Sequence, residues 1–378
     1  MIKTYKFRLY PNKSQKQLLQ KTLDECHWLY NYMLALKINT YHSDKISLSK
    51  YKLDQLLPII KEKHPNTKQV HSQVLQNINQ RIDLAFQSFF HRIKLGETPG
   101  FPKFKNHDRY DSFTFKQSGF QLQNKKLQIS KIGSVKIKKH RKINGNIKTL
   151  TIHKNNVNHW FACFSIEVEQ NILPNNNKAV GLDLGIEKFA VLSDKTIIEN
   201  PKHLNKNLKQ LQKQSKRYSN ATNKNNKRKQ KYRLSKLHLK IKNQRNDFLH
   251  KVSRSIINNY SFIAIEDLNI KNMQQDNFRV LNRYIGDAGW NQFSNILSYK
   301  AEEAGRILVK VDPRNTSKMC SQCGCFVDKK LSDRIHKCPH CNIELDRDYN
   351  ASLNILGLGL QSLRQQALLA APLEAPVL

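Results

Sequence analysis

The sequence predicts a multidomain chain of mixed α+β and α/β class, in which a small β-barrel interrupted by helices is followed by a strand-and-helix domain carrying a metal knuckle. Three observations predict it. Apolar and polar residues alternate with period two in the opening stretch and again in short runs from about 110 to 170. Helical spacing fills the chain between them. Two Cys-x-x-Cys pairs, Cys320/Cys323 and Cys338/Cys341, lie close together in the last fifth of the 378-residue chain.

The first strand is "IKTYKFRLYP", closed by proline. "NKSQKQLLQKTLDECHWLYNYMLALK" reads as a helix with Ser14 as its cap and Leu18, Leu19, Leu23, Trp28, Leu29 and Met33 along one face. Further helices are expected near 49–63 and 68–95, ending at the breaker-rich "GETPGFPKFK". Six strands follow: "SFTFKQ", "FQLQ", "KLQIS", "SVKIKKH", "KTLTIHK" and "HWFACFSIEVE". Thr, Ile, Val and aromatic residues at period two suit a small barrel. The asparagine-rich "NILPNNNK" (171–178) reads as a linker.

"AVGLDLGIEKFAVLSDKTIIEN" opens the second half with three strands. From Lys202 to Arg245 there are 16 Lys or Arg residues and no Asp or Glu. Leu234, Leu237, Ile241, Phe248, Val252 and Ile256 give this stretch an apolar stripe, and "SNATNKNN" breaks it into a helical hairpin. A buried strand "SFIAIEDL", a helix around "GDAGWNQFSNILSYKAEEAG" and a strand "RILVKVDP" come next. After the cysteines, a helix is expected from Tyr349 to about Leu363, then a loosely ordered tail.

Lys and Arg total 65 against 29 Asp and Glu, a formal charge of +36. So strong a balance implies a polyanionic partner, most commonly nucleic acid, with a membrane surface as the rival. Sixteen cations without a counter-charge exceed what solubility needs, which assigns phosphate contacts to Lys227, Arg228, Lys229, Lys231 and Arg233. No apolar run is long enough to span a membrane and no secretory signal is visible, so a cytoplasmic protein is expected. Seven cysteines, five of them clustered between Cys320 and Cys341, fit a reducing compartment and a metal site better than a disulfide framework.

Each Cys-x-x-Cys turn aims two thiolates at one point, and two such turns complete a tetrahedral Zn²⁺ site. Four thiolates close the coordination sphere, so this zinc is structural and Cys325 a bystander. Three acids then stand out. Asp183 interrupts an apolar strand, Glu266 ends another, and Asp348 opens the last helix in "LDRDYNASLNI". Carboxylates gathered at strand and helix ends repel unless cations neutralise them, and hard ions such as Mg²⁺ take oxygen ligands. Two such ions could hydrolyse a phosphodiester. Asp183 as a buried structural acid, Asp267 in place of Glu266, and Asp346 in place of a merely capping Asp348 stay open at this level.

In order and context, "GLDLGIEKFAVLSD", "IAIEDLNIKNM" and "NTSKMCSQCG…CPHC…LDRDYNASLNI" resemble the TnpB (OrfB) proteins of bacterial insertion sequences, which are related to compact type V CRISPR nucleases. "YKFRLYPNKSQKQLL" and "AFQSFFHRIKLGETPGFPKFK" extend the resemblance to the N-terminal half. The resemblance implies a wedge-like β-barrel from residues 1–12 and 106–172 with a helical recognition insert at 13–105. It further implies a split RNase H-like (RuvC) domain from 178–316 and 344–363 including a basic hairpin 203–258, a zinc ribbon at 317–343, and a flexible tail at 364–378. Asp183, Glu266 and Asp348 would be the Mg²⁺-binding catalytic triad, Asp348 being preferred through "DYNA". The implied activity is RNA-guided cleavage of double-stranded DNA beside a short adjacent motif, by a monomer bound to a guide RNA from the transposon end. Arg334 and Arg347 would lie near the scissile strand. The rivals are a strand-transferring transposase and a non-catalytic zinc-ribbon regulator.

Overall fold

The computed structural model describes residues 1–275, 278–330 and 333–370, with side chains through Gln365. Two units divide it, Met1–Glu169 and Gln170–Leu378. The boundary falls at the edge of the expected linker.

In the first unit, strand β1 (Ile2–Tyr10) leads into the long helix α1 (Lys13–Asp44). The cap is Asn12, not Ser14: the Asn12 side chain accepts from the backbone N–H of Gln15 at 2.8 Å, and the Gln15 side chain accepts from the Asn12 N–H at 3.0 Å. That reciprocal pair needs an amide three residues into the helix, and Gln15 supplies it. Short helices α2 (Lys50–Gln55) and α3 (Leu57–Lys63) precede α4 (Ser72–Lys94). Six strands follow: β2 (Ser112–Phe115), β3 (Phe120–Gln123), β4 (Lys126–Ile129), β5 (Gly133–Lys138), β6 (Asn146–Lys154) and β7 (Trp160–Glu167). Each coincides with a predicted strand.

The sheet order is β2-β6-β7-β1-β5-β4-β3, with antiparallel neighbours throughout. Its hydrogen-bond ladder ends at β2 and β3, yet the rings of Phe115 and Phe120 on those edges are 6.2 Å apart. The sheet therefore curls back on itself through side chains. Phe7, Phe113, Phe115 and Phe164 are fully buried inside the curl, each worth about 1.5–3 kcal/mol of burial. Arg81 of α4 covers the β2 edge by donating to the Ser112 carbonyl at 2.9 Å and the Thr114 hydroxyl at 3.1 Å.

The second unit begins with β8 (Ala179–Leu184), β9 (Lys188–Leu192) and β10 (Ile197–Glu199). The basic stretch forms α5 (His203–Lys206), α6 (Leu208–Ser219) and α7 (Lys224–Asn259), broken where the asparagines predict. Strand β11 (Phe262–Glu266) and helix α8 (Ile270–Gln275) follow. The single helix expected around 286–305 is two, α9 (Arg279–Ala288) and α10 (Trp290–Ala304), parted at Gly289. Strand β12 (Ile307–Val311), the hairpin β13 (Ile335–Lys337) and β14 (Glu344–Asp346), and helix α11 (Arg347–Ala370) complete the unit. Helix α11 outruns its expected end near Leu363, so 364–370 is helix where a flexible tail was predicted. "RQQALLA" carries no Gly or Pro to stop it. The rest of that tail, 371–378, lies outside the described residues.

The sheet order is β10-β9-β8-β11-β12, with β8, β11 and β12 parallel. Strand alternation sorts its two faces. Val180, Leu182, Leu184, Ile263 and Ile265 pack into the core with α7 and α10. Phe262, Ala264, Val309 and Val311 pack against Ile355 of α11 on the other face. Glycine sets how closely that helix lies. A Cβ on Gly181 would stand 2.2 Å from the Ser352 carbonyl oxygen, and one on Gly359 would stand 2.6 Å from the Ala264 Cβ. No described helix is long and apolar enough to cross a membrane.

Candidate active site and metal centre

The β8–β11 ladder runs from Ala179↔Phe262 to Leu182↔Ile265. The next residues along are Asp183 and Glu266, so the two acids lie side by side at one end of adjacent parallel strands. Alternation puts both on the α11 face, because Gly181 and Ala264, two residues earlier in each strand, touch that helix. Helix α11 starts at the same end of the sheet with Asp348 in its first turn. Three acids drawn from remote parts of the sequence thus share one end of one sheet face.

Their mutual field is visible in Asp183. Burial pushes its carboxyl well above the ordinary value, and the negative charges of Glu266, Asp348 and Asp346 push it further, against the lowering charge of Arg347. Glu266 is also raised by burial, opposed by a hydrogen bond that the Thr316 hydroxyl donates to its Oε1 at 2.7 Å. Asp267 is exposed and pairs with Lys310 at 3.6 Å. Arg347 lies 3.4 Å from Asp348 and is itself largely buried.

Asp346, not Asp348, caps the last helix. Its Oδ1 accepts from the backbone N–H groups of Asp348 at 2.9 Å and Tyr349 at 3.0 Å, which makes it the cap of α11. Its other oxygen pairs with Lys188 at 3.2 Å. Partial burial raises its pKa, but the N–H of Tyr349 and the Lys188 ammonium outweigh that and hold it below the ordinary value. The cap leaves the Asp348 side chain uncommitted to the helix end.

Beside the acids, the four sulfurs of Cys320, Cys323, Cys338 and Cys341 lie within 4.8 Å of one another. Cys320 and Cys341 are 3.6 Å apart, Cys323 and Cys338 3.5 Å. Tetrahedral sulfurs about 2.3 Å from a zinc ion would be about 3.8 Å apart, so this set fits one ion. Backbone turns build it: the N–H of Gly324 donates to the Cys320 carbonyl and that of Asn342 to the Cys338 carbonyl, both at 2.9 Å. Cys325 contributes only its carbonyl, to the Cys320 N–H. Among the described residues the cysteines are the one group of His, Cys, Asp or Glu side chains converging this closely. The three carboxylates are set wider.

Two buried asparagines of α11 join the cysteine segment to the helix. The Asn350 side chain donates to the Met319 carbonyl at 2.8 Å and accepts from the Ser321 N–H at 2.9 Å. Asn354 donates to the carbonyls of Thr316 and Met319, at 2.8 and 2.7 Å. Thr316, Asn350 and Asn354 went unmarked as site residues in the sequence. The signal is present: two asparagines four apart, set among the apolar residues Ala351, Leu353 and Ile355, call for a polar partner. Lys227, Arg228, Lys229, Lys231 and Arg233 are all exposed along the first half of α7. Arg334 instead pairs with Glu187 at 3.2 Å on the surface.

Models of known families match three stretches: "Probable transposase" (OrfB of IS605) at residues 163–277, the TNB domain of Cas12f1-like proteins at 290–355, and the helix-turn-helix domain of OrfB at 1–45. Over these stretches the chain is similar to the TnpB (OrfB) proteins. A candidate RNA-guided DNA endonuclease of Escherichia coli K12, InsQ, is 29% identical over 95% of this chain and 92% of its own length. The CRISPR-associated endodeoxyribonuclease Cas12f1 of Sulfoacidibacillus thermotolerans is 29% identical over 54% of this chain and 51% of its own length. In fold, the mini-RNA-guided endonuclease CRISPR-Cas_phi3 aligns over 95% of this chain and 92% of its own, with a TM-score of 0.52 at 10% identity. The chain thus carries sequence features of OrfB and Cas12f1-like proteins on a comparable α+β fold.

Proposed function

We propose that this chain is an RNA-guided DNA endonuclease of an insertion sequence, cutting double-stranded DNA beside a short adjacent motif under direction of a guide RNA from the element's end. The names borne by its relatives support that activity. In this reading the five-stranded sheet with α11 is the split RNase H-like core, the curled sheet is a wedge-like barrel, and 317–343 is a zinc ribbon. The protein works in the cytoplasm as a monomer with its RNA.

The observation that carries the reading is the convergence of Asp183, Glu266 and Asp348 on one end of one sheet face, with Asp183 raised by its neighbours' charge. Such a group of oxygen donors fits hard divalent cations. When bound, two Mg²⁺ ions would supply an activated water and stabilise the leaving oxygen of a phosphodiester. The residues do the holding. Thr316 fixes the Glu266 carboxylate, the Asp346 cap sets the first turn that presents Asp348, and Arg347 offsets part of the negative charge. The four thiolates would hold a structural Zn²⁺, beside the segment whose Thr316 carbonyl Asn354 binds. The exposed cations of α7 hold phosphates, with affinity falling steeply as salt rises.

The test uses the chain purified with whatever RNA accompanies it, a plasmid library with a randomised flank, and Mg²⁺. Linear plasmid with 5′-phosphate ends is expected, and none from Asp183→Asn although RNA is still bound. Joined products would favour strand transfer. Cutting by the Asp183→Asn chain would overturn the site.

A further inference from the structure

The end of α4 and the loop after it carry an aromatic knot that the nuclease reading does not use. Phe86, Phe89, Phe90 and Phe101 contact one another at ring distances of 5.2–6.3 Å, with Phe101 edge-on to both Phe86 and Phe89. Burial does not account for it. Phe90 is 55% exposed, Phe101 48% and Phe104 58%. The rings sit on an anchored backbone. Pro102 is buried, and the Asn31 amide clamps Lys105 by accepting from its N–H at 2.8 Å and donating to its carbonyl at 3.0 Å. Between residues 84 and 109, Arg92, Lys94, Lys103, Lys105 and Arg109 face only Glu97 and Asp108 as counter-charges.

We propose that this knot is a stacking platform for unpaired nucleobases, with the flanking cations taking the phosphates between them. The proposal deepens the nucleic-acid reading and rests on it. Rings held in fixed orientation beside lysines and arginines match a single strand, which offers a π-face at each base and a charge at each phosphate. A second copy of this surface would bring two net-positive faces together, which disfavours self-association. The source of the strand, guide RNA or opened DNA, is shared chemistry that the test separates.

The full chain with its co-purified RNA is irradiated in one arm with 5-iodouridine placed in that RNA, in the other with single-stranded DNA bearing 5-iodouracil. Digestion and mass spectrometry then locate the adducts. Adducts at Phe90, Phe101 or Phe104 are expected, and the arm in which they form names the strand. The double change Phe101→Ala with Phe104→Ala should weaken a base-bearing strand on the order of tenfold per lost stack and leave an abasic strand of equal length unaffected. Adducts confined to α7, or equal loss for the abasic strand, would overturn the platform. So would base-independent binding of this surface to anionic vesicles, or dimers abolished by the double change. A chain that cuts DNA yet gives no adduct here loses the platform alone; one that neither cuts nor binds RNA loses the nuclease reading.

Discussion

The four cysteines and the three acids occupy neighbouring parts of one unit, yet they are built by opposite means. The thiols come from one short segment, Cys320 to Cys341, and two tight turns fold them together with no help from the sheet. The acids come from β8, β11 and α11, and only the parallel register of two strands and the close seat of a helix bring them to one place. The thiol set is closed, four donors for one ion. The acid set is wider, and Asp183 within it is raised by burial and by its neighbours' charge. A local motif can be a finished site; a distributed one is finished only by the fold, and holds its charge at the fold's expense.

That contrast gives opposite signs on mutation, and here the effects are largest. If the four thiols hold zinc, Cys338→Ser removes one of its ligands, so it should lower stability by several kcal/mol, read as a drop in Tm and loss of bound zinc. Asp183→Asn should abolish cleavage, a loss of at least about a thousandfold, or about 4 kcal/mol, while raising Tm. The pH dependence follows from the raised carboxyl. Its folded pKa lies above the unfolded value of about 3.9, so between the two the native state holds a proton that the unfolded state has lost, and stability falls as pH rises. In buffer without added divalent ions, the wild type should lose stability from about pH 4 upward and Asp183→Asn should lose less. Added Mg²⁺ should stabilise the wild type only. Parallel pH profiles for the two proteins would break the comparison.

The same contrast explains what the sequence made legible. Spacing alone finds a site built by local turns, which is why Cys320, Cys323, Cys338 and Cys341 are evident at once. Asp183 and Glu266 are legible as acids out of place in apolar strands, but nothing in spacing says that they adjoin; the β8–β11 pairing does. The six strands between 110 and 170 are clear because each buries alternate residues. The cap of α1 was misplaced because Ser14 and Asn12 are both able caps, and only the reciprocal Gln15 bond decides between them. Thr316 escaped notice because a single hydroxyl has no period.

Thr316 is where the two clusters meet, and it tests whether the local site supports the distributed one. Its hydroxyl holds Glu266, while its carbonyl is held by Asn354 next to the cysteine segment. Thr316→Val keeps the shape and removes the donor. If Thr316 positions Glu266, the Mg²⁺ concentration for half-maximal cleavage should rise about 10–100-fold, the usual cost of losing a partner to a metal ligand. Zinc content should not change, and Thr316→Ser should restore most of the loss. An unchanged Mg²⁺ requirement would detach the cysteine segment from the three acids.

The smallest effect separates two acids two residues apart. Asp346 caps α11 and pairs with Lys188, and Asp348 stands free of both duties. Asparagine caps a helix as well as aspartate does, whereas alanine forfeits about 1 kcal/mol. Asp346→Asn should therefore cut DNA within a few-fold of the wild type, losing only a half-exposed ion pair worth at most about 1 kcal/mol. Asp346→Ala should cost about 1 kcal/mol more in stability without abolishing cleavage. Asp348→Asn should be as inactive as Asp183→Asn. The reverse pattern, an inactive Asp346→Asn beside an active Asp348→Asn, would move the third ligand from the helix to its cap. The distributed site would then borrow its last acid from the hairpin that ends the cysteine module, and the two clusters would no longer be built by separate means.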